Sequence, residues 1–186
     1  RRHDVEVRHR PRATTDPLER AVAVAVDEAL ADTTGNVLVF VPGWREIRAA
    51  IAMIGAAPGR EVVALHGSMT AREQDAALAP TPTGRRVIVA TDVAETSLTV
   101  PGITAVVDSG LVRQPQHHAR TGLTRLTTVP TSRASVIQRT GRAGRLGPGL
   151  AIRLFHPAAR RPDDPVPTLA LAHLGGRRGA LAFEAP

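Results

Sequence analysis

The stretch NVLVFVPGWREIRAAIAMIG, residues 36–55, reads as one strand followed by one helix. Its first part is a short, continuous apolar run that ends at Pro-Gly, the form of a strand buried on both faces of a parallel sheet. Its second part, WREIRAAIAMIG, follows as a helix that ends at Gly55. The stretch therefore predicts a strand–helix unit of an α/β fold.

The same alternation of strand and helix continues along the chain. We expect strand Glu61–Leu65, helix Ala71–Leu78, strand Val87–Ala90, a helical turn Val93–Ser97, strand Ile103–Asp108 and strand Leu150–Leu154. Residues 111–129 lack helical periodicity and predict a β-hairpin that turns near Thr121-Gly122. Alternating strands and helices predict a parallel sheet with helices on both faces. Ligands of such sheets bind beyond the carboxyl ends of the strands.

The segment DPLERAVAVAVDEALADTTGN, residues 16–36, allows two interpretations. Its centre imitates an apolar strand followed by the Asp-Glu pair that holds magnesium in many ATPases. A helix fits better, because Asp16 can cap it, Pro17 suits its first turn and apolar residues recur every four positions. Those residues are Leu18, Val22, Val26 and Leu30. Asp27 and Glu28 are then predicted to be surface carboxylates.

Composition limits the chemistry of the chain. Its 186 residues predict one domain of ordinary size, with a possible tail. The formal net charge is +7, and all 24 basic residues are arginines. A phosphate loop of the type GxxxxGK[ST] needs a lysine, so this chain can supply at most half of such a nucleotide site. The basic charge favours an anionic partner, and the absence of cysteine excludes disulfides and thiolate metal sites.

The ends of the chain differ in composition from its middle. We expect residues 1–16 to be an interdomain linker or edge strand and residues 17–156 to form the domain. Residues 157–186 are rich in Pro, Arg and Gly and predict a linker or the start of a following domain. No apolar run approaches the ~20 residues of a membrane span, and no signal-peptide pattern is visible. The default expectation is a cytoplasmic protein that does not contact a membrane.

The segment QRTGRAGRLG, residues 138–147, places three arginines among glycines. If the helix extends through it, Gln138, Arg142 and Arg145 fall on one face and Arg139 points away. Guanidinium groups are planar and donate through several N–H groups, which suits phosphate. A phosphate-facing arginine pair and a solvated basic turn before the next strand both remain open at this point.

Several segments together resemble the second RecA-like domain of DEAH-box helicases, especially the bacterial HrpB type. They are, in order, VLVFVPG, LHGSMTAREQ, VIVATDVAETSLTVPGI, VVDSGLVR and QRTGRAGR. The resemblance implies a RecA-like three-layer sandwich with a mostly parallel sheet and an inserted β-hairpin. It also implies half of the motor of an ATP-driven helicase that acts on single-stranded nucleic acid, most often RNA. The other half, an N-terminal RecA-like domain in cis, would hold most of the ATP and Mg²⁺, so the isolated chain is expected to be inactive.

The resemblance also implies roles for individual residues. In the last segment, Gln138, Arg142 and Arg145 correspond to the catalytic residues that reach the γ-phosphate. Nucleotide-binding roles are implied for Ser97, Thr99 and Gly141, although Thr99 equally fits a plain strand or turn hydroxyl. Contacts to the nucleic-acid backbone are implied for Thr91, Gly67 and Ser68. His66 is expected to be an ordinary strand-end histidine.

The predicted hairpin contains Arg113, Arg120 and Arg125 and resembles the element that separates strands in these helicases; a solvated basic loop is the alternative. Pro101 and Leu78 stand where the family often has a ribose-binding acid and an adenine-stacking aromatic, which predicts loose nucleotide selectivity. With few aromatic residues, a base-stacking platform is not evident, and contacts to phosphate and sugar are expected. A catalytically inactive nucleic-acid-binding scaffold and a DNA helicase are the alternative functions.

Overall fold

The computed structural model describes residues 3–80, 84–96, 100–118 and 123–162. The helices are α1 Leu18–Asp32, α2 Trp44–Ile54, α3 Ala71–Leu78, α4 Val93–Thr96 and α5 Arg133–Thr140. The strands are β1 Val5–His9, β2 Asn36–Phe40, β3 Arg60–Leu65, β4 Arg85–Ala90, β5 Ile103–Asp108, β6 Leu111–His118, β7 Leu123–Pro130 and β8 Gly149–Arg153. Within the described residues the predicted alternation of strands and helices is confirmed.

Six strands form one sheet in the order β1-β8-β5-β2-β4-β3, and every pair of neighbours in it is parallel. The central strands β2, β4 and β5 are buried along almost their whole length. Continuous apolar runs are what a parallel sheet requires when helices cover both of its faces. The stretch 36–55 accordingly forms the middle of the sheet and the first helix after it.

Two apolar clusters lie on opposite faces of the sheet. On one face, α1 and α2 pack against alternate residues of the strands, including Val39, Val89 and Val107. On the other face, Leu38, Ile88 and their neighbours pack against α3, α4 and the segment that follows α5. Alternate side chains of a strand point to opposite faces, so each central strand contributes to both clusters. The predicted three-layer α/β sandwich is confirmed.

Helix α1 confirms the helical interpretation of residues 16–36, with Val22 and Val26 fully buried. The predicted cap at Asp16 is wrong, because the residue at the cap position is Pro17 and no side chain bonds to the first turn. Proline suits this end of a helix since the first N–H groups lack intrahelical acceptors. Packing of the apolar face onto the sheet therefore stabilises α1 without a side-chain cap.

Strands β6 and β7 form a separate antiparallel pair, which confirms the predicted hairpin. Its turn near Thr121-Gly122 lies outside the described residues. At the other end of the fold, β1 pairs with β8 as an edge strand of the large sheet. In the described part of the chain no helix is long and apolar enough to cross a membrane, and no cluster of three or more potential metal ligands occurs.

Gly149, at the start of β8, lies against the backbone of Ala143. A Cβ atom added at Gly149 would be 2.4 Å from the carbonyl oxygen of Ala143, which is backbone and itself buried. We expect Gly149→Ala to lower the free energy of unfolding by about 1–3 kcal/mol, measured by urea denaturation. The matched control is Gly147→Ala, because a Cβ there meets nothing within 4 Å. Equal free energies of unfolding for the two variants would show that the close contact between Gly149 and Ala143 does not constrain the fold.

Candidate functional site

The carboxyl edge of the sheet brings together most of the segments predicted to be functional. Chain segments leave β2, β3, β4 and β5 at this edge, because all of these strands are parallel. The segment after β3 contains Gly67 and Ser68, and the segment after β4 contains Thr91. The hairpin begins shortly after β5. The arginine-rich segment after α5 extends away from this edge, because Gly144 lies against His3, just before β1, and Ala143 lies against Gly149 at the start of β8. The edge is the position at which sheets of this type bind ligands.

Helix α5 ends at Thr140, with Gly141 at its C-terminal cap. Arg142 and Arg145 therefore lie in the turns after the helix, and the prediction that Gln138, Arg142 and Arg145 share one helical face is wrong. Glycine at positions 141 and 144 weakens a helix. The backbone of His3 comes close to Gly144, because a Cβ added there would lie 2.6 Å from the His3 carbonyl oxygen. At Gly141 it would be 3.4 Å from the nearest atom, an ordinary contact.

Among the described residues Arg139 is the largest fully buried side chain, with only 1% of it exposed. Its Nε donates to the carboxylate of Glu95 at 3.1 Å, and its Nη1 donates to Asp108 Oδ1 at 3.0 Å. The same Nη1 reaches the carbonyl of Leu111 at 3.3 Å. The guanidinium carbon also lies 4.9 Å from the centre of the Phe40 ring. Arg139 thus joins α5 to α4, to the end of β5 and to the start of the hairpin.

Arg142 is also buried, and like Arg139 it bonds to Glu95. Its Nε donates to the backbone carbonyl of Glu95 at 3.0 Å, and its Nη2 bonds to the same oxygen. Burial lowers the pKa of Arg142 and the nearby charge of Arg145 lowers it further, whereas Glu95 opposes the shift. Glu95 therefore holds two arginines, one through its carboxylate and one through its carbonyl.

Gln138 and Arg145 are exposed, so they differ from the two buried arginines between them. Arg142 and Arg145 are three residues apart in the turns after α5, and the charge of Arg145 contributes to lowering the pKa of Arg142. Two neighbouring cations, one buried and held in place, are chemically suited to an oxyanion with several negative oxygens.

Ser97 and Thr99 lie outside the described residues. Thr91 is buried, with 6% of it exposed, and its N–H donates to the carbonyl of Leu65. Gly67 and Ser68 are exposed. Ser68 bonds to its neighbour His66, whose Nδ1 lies 3.0 Å from the Ser68 amide nitrogen and 2.7 Å from its hydroxyl. Of the three residues predicted to contact the nucleic-acid backbone, Gly67 and Ser68 are therefore accessible to a ligand and Thr91 is not.

The two predicted hairpin arginines that the structure describes do not lie on one face. Arg113 pairs with Thr128 across the hairpin, whereas Arg125 pairs with Gln116. Paired residues of a hairpin share a face, so Arg125 lies on the face of Gln116. Arg113 and Gln116 are three residues apart on β6, and successive side chains alternate between faces, so Arg113 and Arg125 project from opposite faces of the hairpin. Arg113 lies 3.8 Å from the carboxylate of Glu46 in α2, and Arg120 lies outside the described residues.

Sequence reasoning missed Asp108 and Glu95 as members of the site. Asp108 is buried, and its Oδ1 also accepts the N–H of Gly110 at 2.8 Å. A carboxylate at the end of the apolar run ITAVVD is a usable signal, because a buried acid requires a cationic partner. Nothing in the sequence shows that Arg139 is this partner, because the two residues are 31 positions apart and come together only in the folded structure.

The fold and these segments define a domain of the helicase class. The helicase conserved C-terminal domain family matches residues 20–147, and the chain belongs to that family. The chain is 42% identical over 154 residues to the ATP-dependent RNA helicase HrpB of Escherichia coli (strain K12), which covers 81% of this chain and 19% of HrpB. It is 41% identical over 162 residues to the ATP-dependent RNA helicase HrpA of the same organism, covering 83% of this chain and 12% of HrpA.

Solved structures agree with these relatives. A crystal structure of the E. coli DExH-box NTPase HrpB matches with a TM-score of 0.83 and 38% identity, covering 90% of this chain and 21% of that one. The resemblance to HrpB-type DEAH-box helicases and the RecA-like fold are thus confirmed. The chain spans only about a fifth or less of the length of these proteins.

The buried ion pair between Arg139 and Asp108 predicts a large effect on stability. Asp108→Ala leaves the guanidinium of Arg139 buried with one carboxylate fewer, so we expect the free energy of unfolding to fall by roughly 3–5 kcal/mol. Asp27→Ala is the control, because Asp27 pairs with Arg60 at 2.8 Å while its side chain is 68% exposed. That variant should lose about 1 kcal/mol or less in urea denaturation. Similar losses in both variants would contradict a structural role for the buried pair.

Proposed function

We propose that this chain is the second RecA-like half of the motor of an ATP-dependent helicase that acts on RNA. The observation that supports it best is the burial of Arg142, whose guanidinium is held by the carbonyl of Glu95, with the charged Arg145 three residues further along the chain. Because the chain belongs to the helicase C-terminal domain family, a nucleotide phosphate is the expected ligand of these two arginines. The names of the relatives HrpB and HrpA supply ATP and RNA as the expected ligands.

In this proposal the chain completes an ATP site from one side of a cleft. The missing N-terminal RecA-like domain, in cis, holds most of the nucleotide and its Mg²⁺. Arg142 and Arg145 face the terminal phosphate, with Gln138, Gly141, Ser97 and Thr99 around it. ATP supplies the phosphoryl group that is transferred to water, and the guanidinium groups, with that of Arg142 held by Glu95, stabilise the charge that develops on it. Because the chain has no lysine for a phosphate loop, it hydrolyses no ATP alone.

The carboxyl edge of the sheet is proposed to bind a single strand of nucleic acid through its backbone. Gly67 and Ser68 present exposed backbone and hydroxyl groups that suit phosphate or sugar. Thr91 is buried and would reach the strand only after a local shift. The hairpin contributes the positive charge of Arg113, Arg120 and Arg125 at the point where the two nucleic-acid strands of a duplex separate. Affinity should therefore fall steeply with salt and depend little on sequence.

Two alternatives make different predictions. A catalytically inactive scaffold would bind nucleic acid without needing Arg142 or Arg145 beside a phosphate. A DNA helicase would use the same residues on the other nucleic acid, and the two are separated by comparing RNA and DNA as activators of ATP hydrolysis. The anchoring of Arg142 on Glu95 favours a motor, because a fixed guanidinium is useful when charge has to be stabilised during a reaction.

Arg142→Lys tests the proposed role most specifically. In the full-length protein we expect nucleic-acid-stimulated ATP hydrolysis to fall by roughly 10²-fold or more, because lysine keeps the charge but loses the forked donor pair. Nucleotide affinity should change far less, since the arginine acts mainly in the transition state. The measurements are steady-state phosphate release and nucleotide binding on the same preparation.

The control for this variant is Arg160→Lys, because Arg160 is an exposed arginine after β8. Arg139 does not serve as a control, because its substitution would disturb the buried ion pairs. Rates close to wild type for both Arg142→Lys and Arg160→Lys would leave the proposed role without support. A loss confined to Arg142→Lys, with unfolding curves that match the wild type, would support it.

A further inference from the structure

Two rings meet at the carboxyl edge of the sheet. Trp44 is the first residue of α2, and His66 directly follows β3. Their ring centroids lie 5.3 Å apart, and the ring planes are inclined by 59°. Trp44 is 37% exposed, and it is the only tryptophan of a chain that has no tyrosine. A large aromatic surface thus faces solvent at the edge where the proposed ligands bind.

The topology of the sheet explains this contact. Strand β4 lies between β2 and β3, so the segments after β2 and β3 meet above the carboxyl end of β4. The amide N–H of Ser68 donates to Nδ1 of His66 at 3.0 Å, which holds the imidazole in one orientation. Because Nδ1 accepts this bond, the neutral ring carries its proton on Nε2. The ring pair is therefore positioned by the fold before any ligand arrives.

Polar groups are close in the chain to both ring-bearing residues. Gly67 and Ser68, directly after His66, are exposed, and a Cβ added at Gly67 would meet nothing within 4 Å. The side chain of Arg113 lies 3.1 Å from the position of a Cβ at Gly43, the residue before Trp44. An exposed aromatic ring with open backbone and a guanidinium near it suits a nucleotide, which carries both a base and a phosphate.

We propose that Trp44 and His66 form a stacking platform for one unpaired base of the bound single strand. The proposal rests on the proposed function and adds to it a contact to a base, where the sequence predicted contacts to phosphate and sugar. Stacking accepts any base, because every base has a π-face. The platform is thus compatible with weak sequence preference, and removing its tryptophan should weaken binding by roughly 5- to 150-fold.

The test uses the fluorescence of Trp44, which no other tryptophan in the chain obscures. The 186-residue chain is titrated at low salt with oligoadenylate of about 12 nucleotides and with an abasic ribose-phosphate oligomer of equal length. Binding is followed in parallel by anisotropy of an end label. We expect oligoadenylate to quench Trp44 with the same midpoint as the anisotropy change. The abasic oligomer should bind more weakly, without quenching.

Variants separate stacking from backbone binding. Trp44→Ala should lose affinity for oligoadenylate by the stated factor and keep its affinity for the abasic oligomer. The matched control is Met53→Ala, an exposed apolar residue on the same helix, which should bind both oligomers like the wild type. The quenching comparison needs only the wild-type chain, so it decides the matter even if Trp44→Ala fails to fold.

Two results would overturn the platform while leaving the proposed function intact. One is anisotropy-detected binding of oligoadenylate without a change in Trp44 fluorescence. The other is an equal loss of affinity for both oligomers in a folded Trp44→Ala variant. If neither oligomer binds the wild-type chain at low salt, the proposed grip on nucleic acid fails, and the platform fails with it.

Discussion

The guanidinium group of Arg139 is the constraint on which the rest of the site depends. It is buried, so its charge must be balanced inside the protein. Glu95 and Asp108 supply the balance at 3.1 and 3.0 Å, and the carbonyl of Leu111 accepts a further bond at 3.3 Å. These partners belong to three separate segments of the chain. A shift of either carboxylate would leave the buried charge with one ionic partner fewer, so helix α5, helix α4 after β4 and the base of the hairpin hold each other in place.

This arrangement connects the two activities proposed for the domain. Glu95 pairs with Arg139 through its carboxylate and orients Arg142, the group proposed to face phosphate, through its carbonyl. Asp108 accepts the N–H of Gly110, and Arg161 donates to the carbonyls of Gly110 and Thr131 at the two ends of the hairpin. The nucleotide side and the hairpin are thus attached to one buried network. Donors held in place in this way need little reorganisation when charge develops on a ligand.

The sequence predicted much of the fold because its signals are local. The apolar runs of β2, β4 and β5 and the limits of α3 are visible in neighbouring residues. The site was harder to predict because its contacts join residues far apart in the chain. The helix through Arg142 was wrong because two glycines end it, and the Trp44–His66 contact follows from a sheet order that no local pattern contains. The motif therefore showed which arginines to consider. It did not show that Arg139 and Arg142 are buried whereas Arg145 is exposed.

The central claim is that this domain presents Arg142 to the phosphoryl group of ATP held by another domain. The most direct measurement is a crystal structure of the full-length protein with single-stranded RNA, ADP, Mg²⁺ and aluminium fluoride, which mimics the transferred phosphoryl group. The account predicts a nitrogen of Arg142 within about 3 Å of a fluoride, as expected for a hydrogen bond, with Arg139 still paired to Asp108. A closed complex in which Arg142 contacts only Glu95 and no group of this domain reaches the fluoride would contradict it.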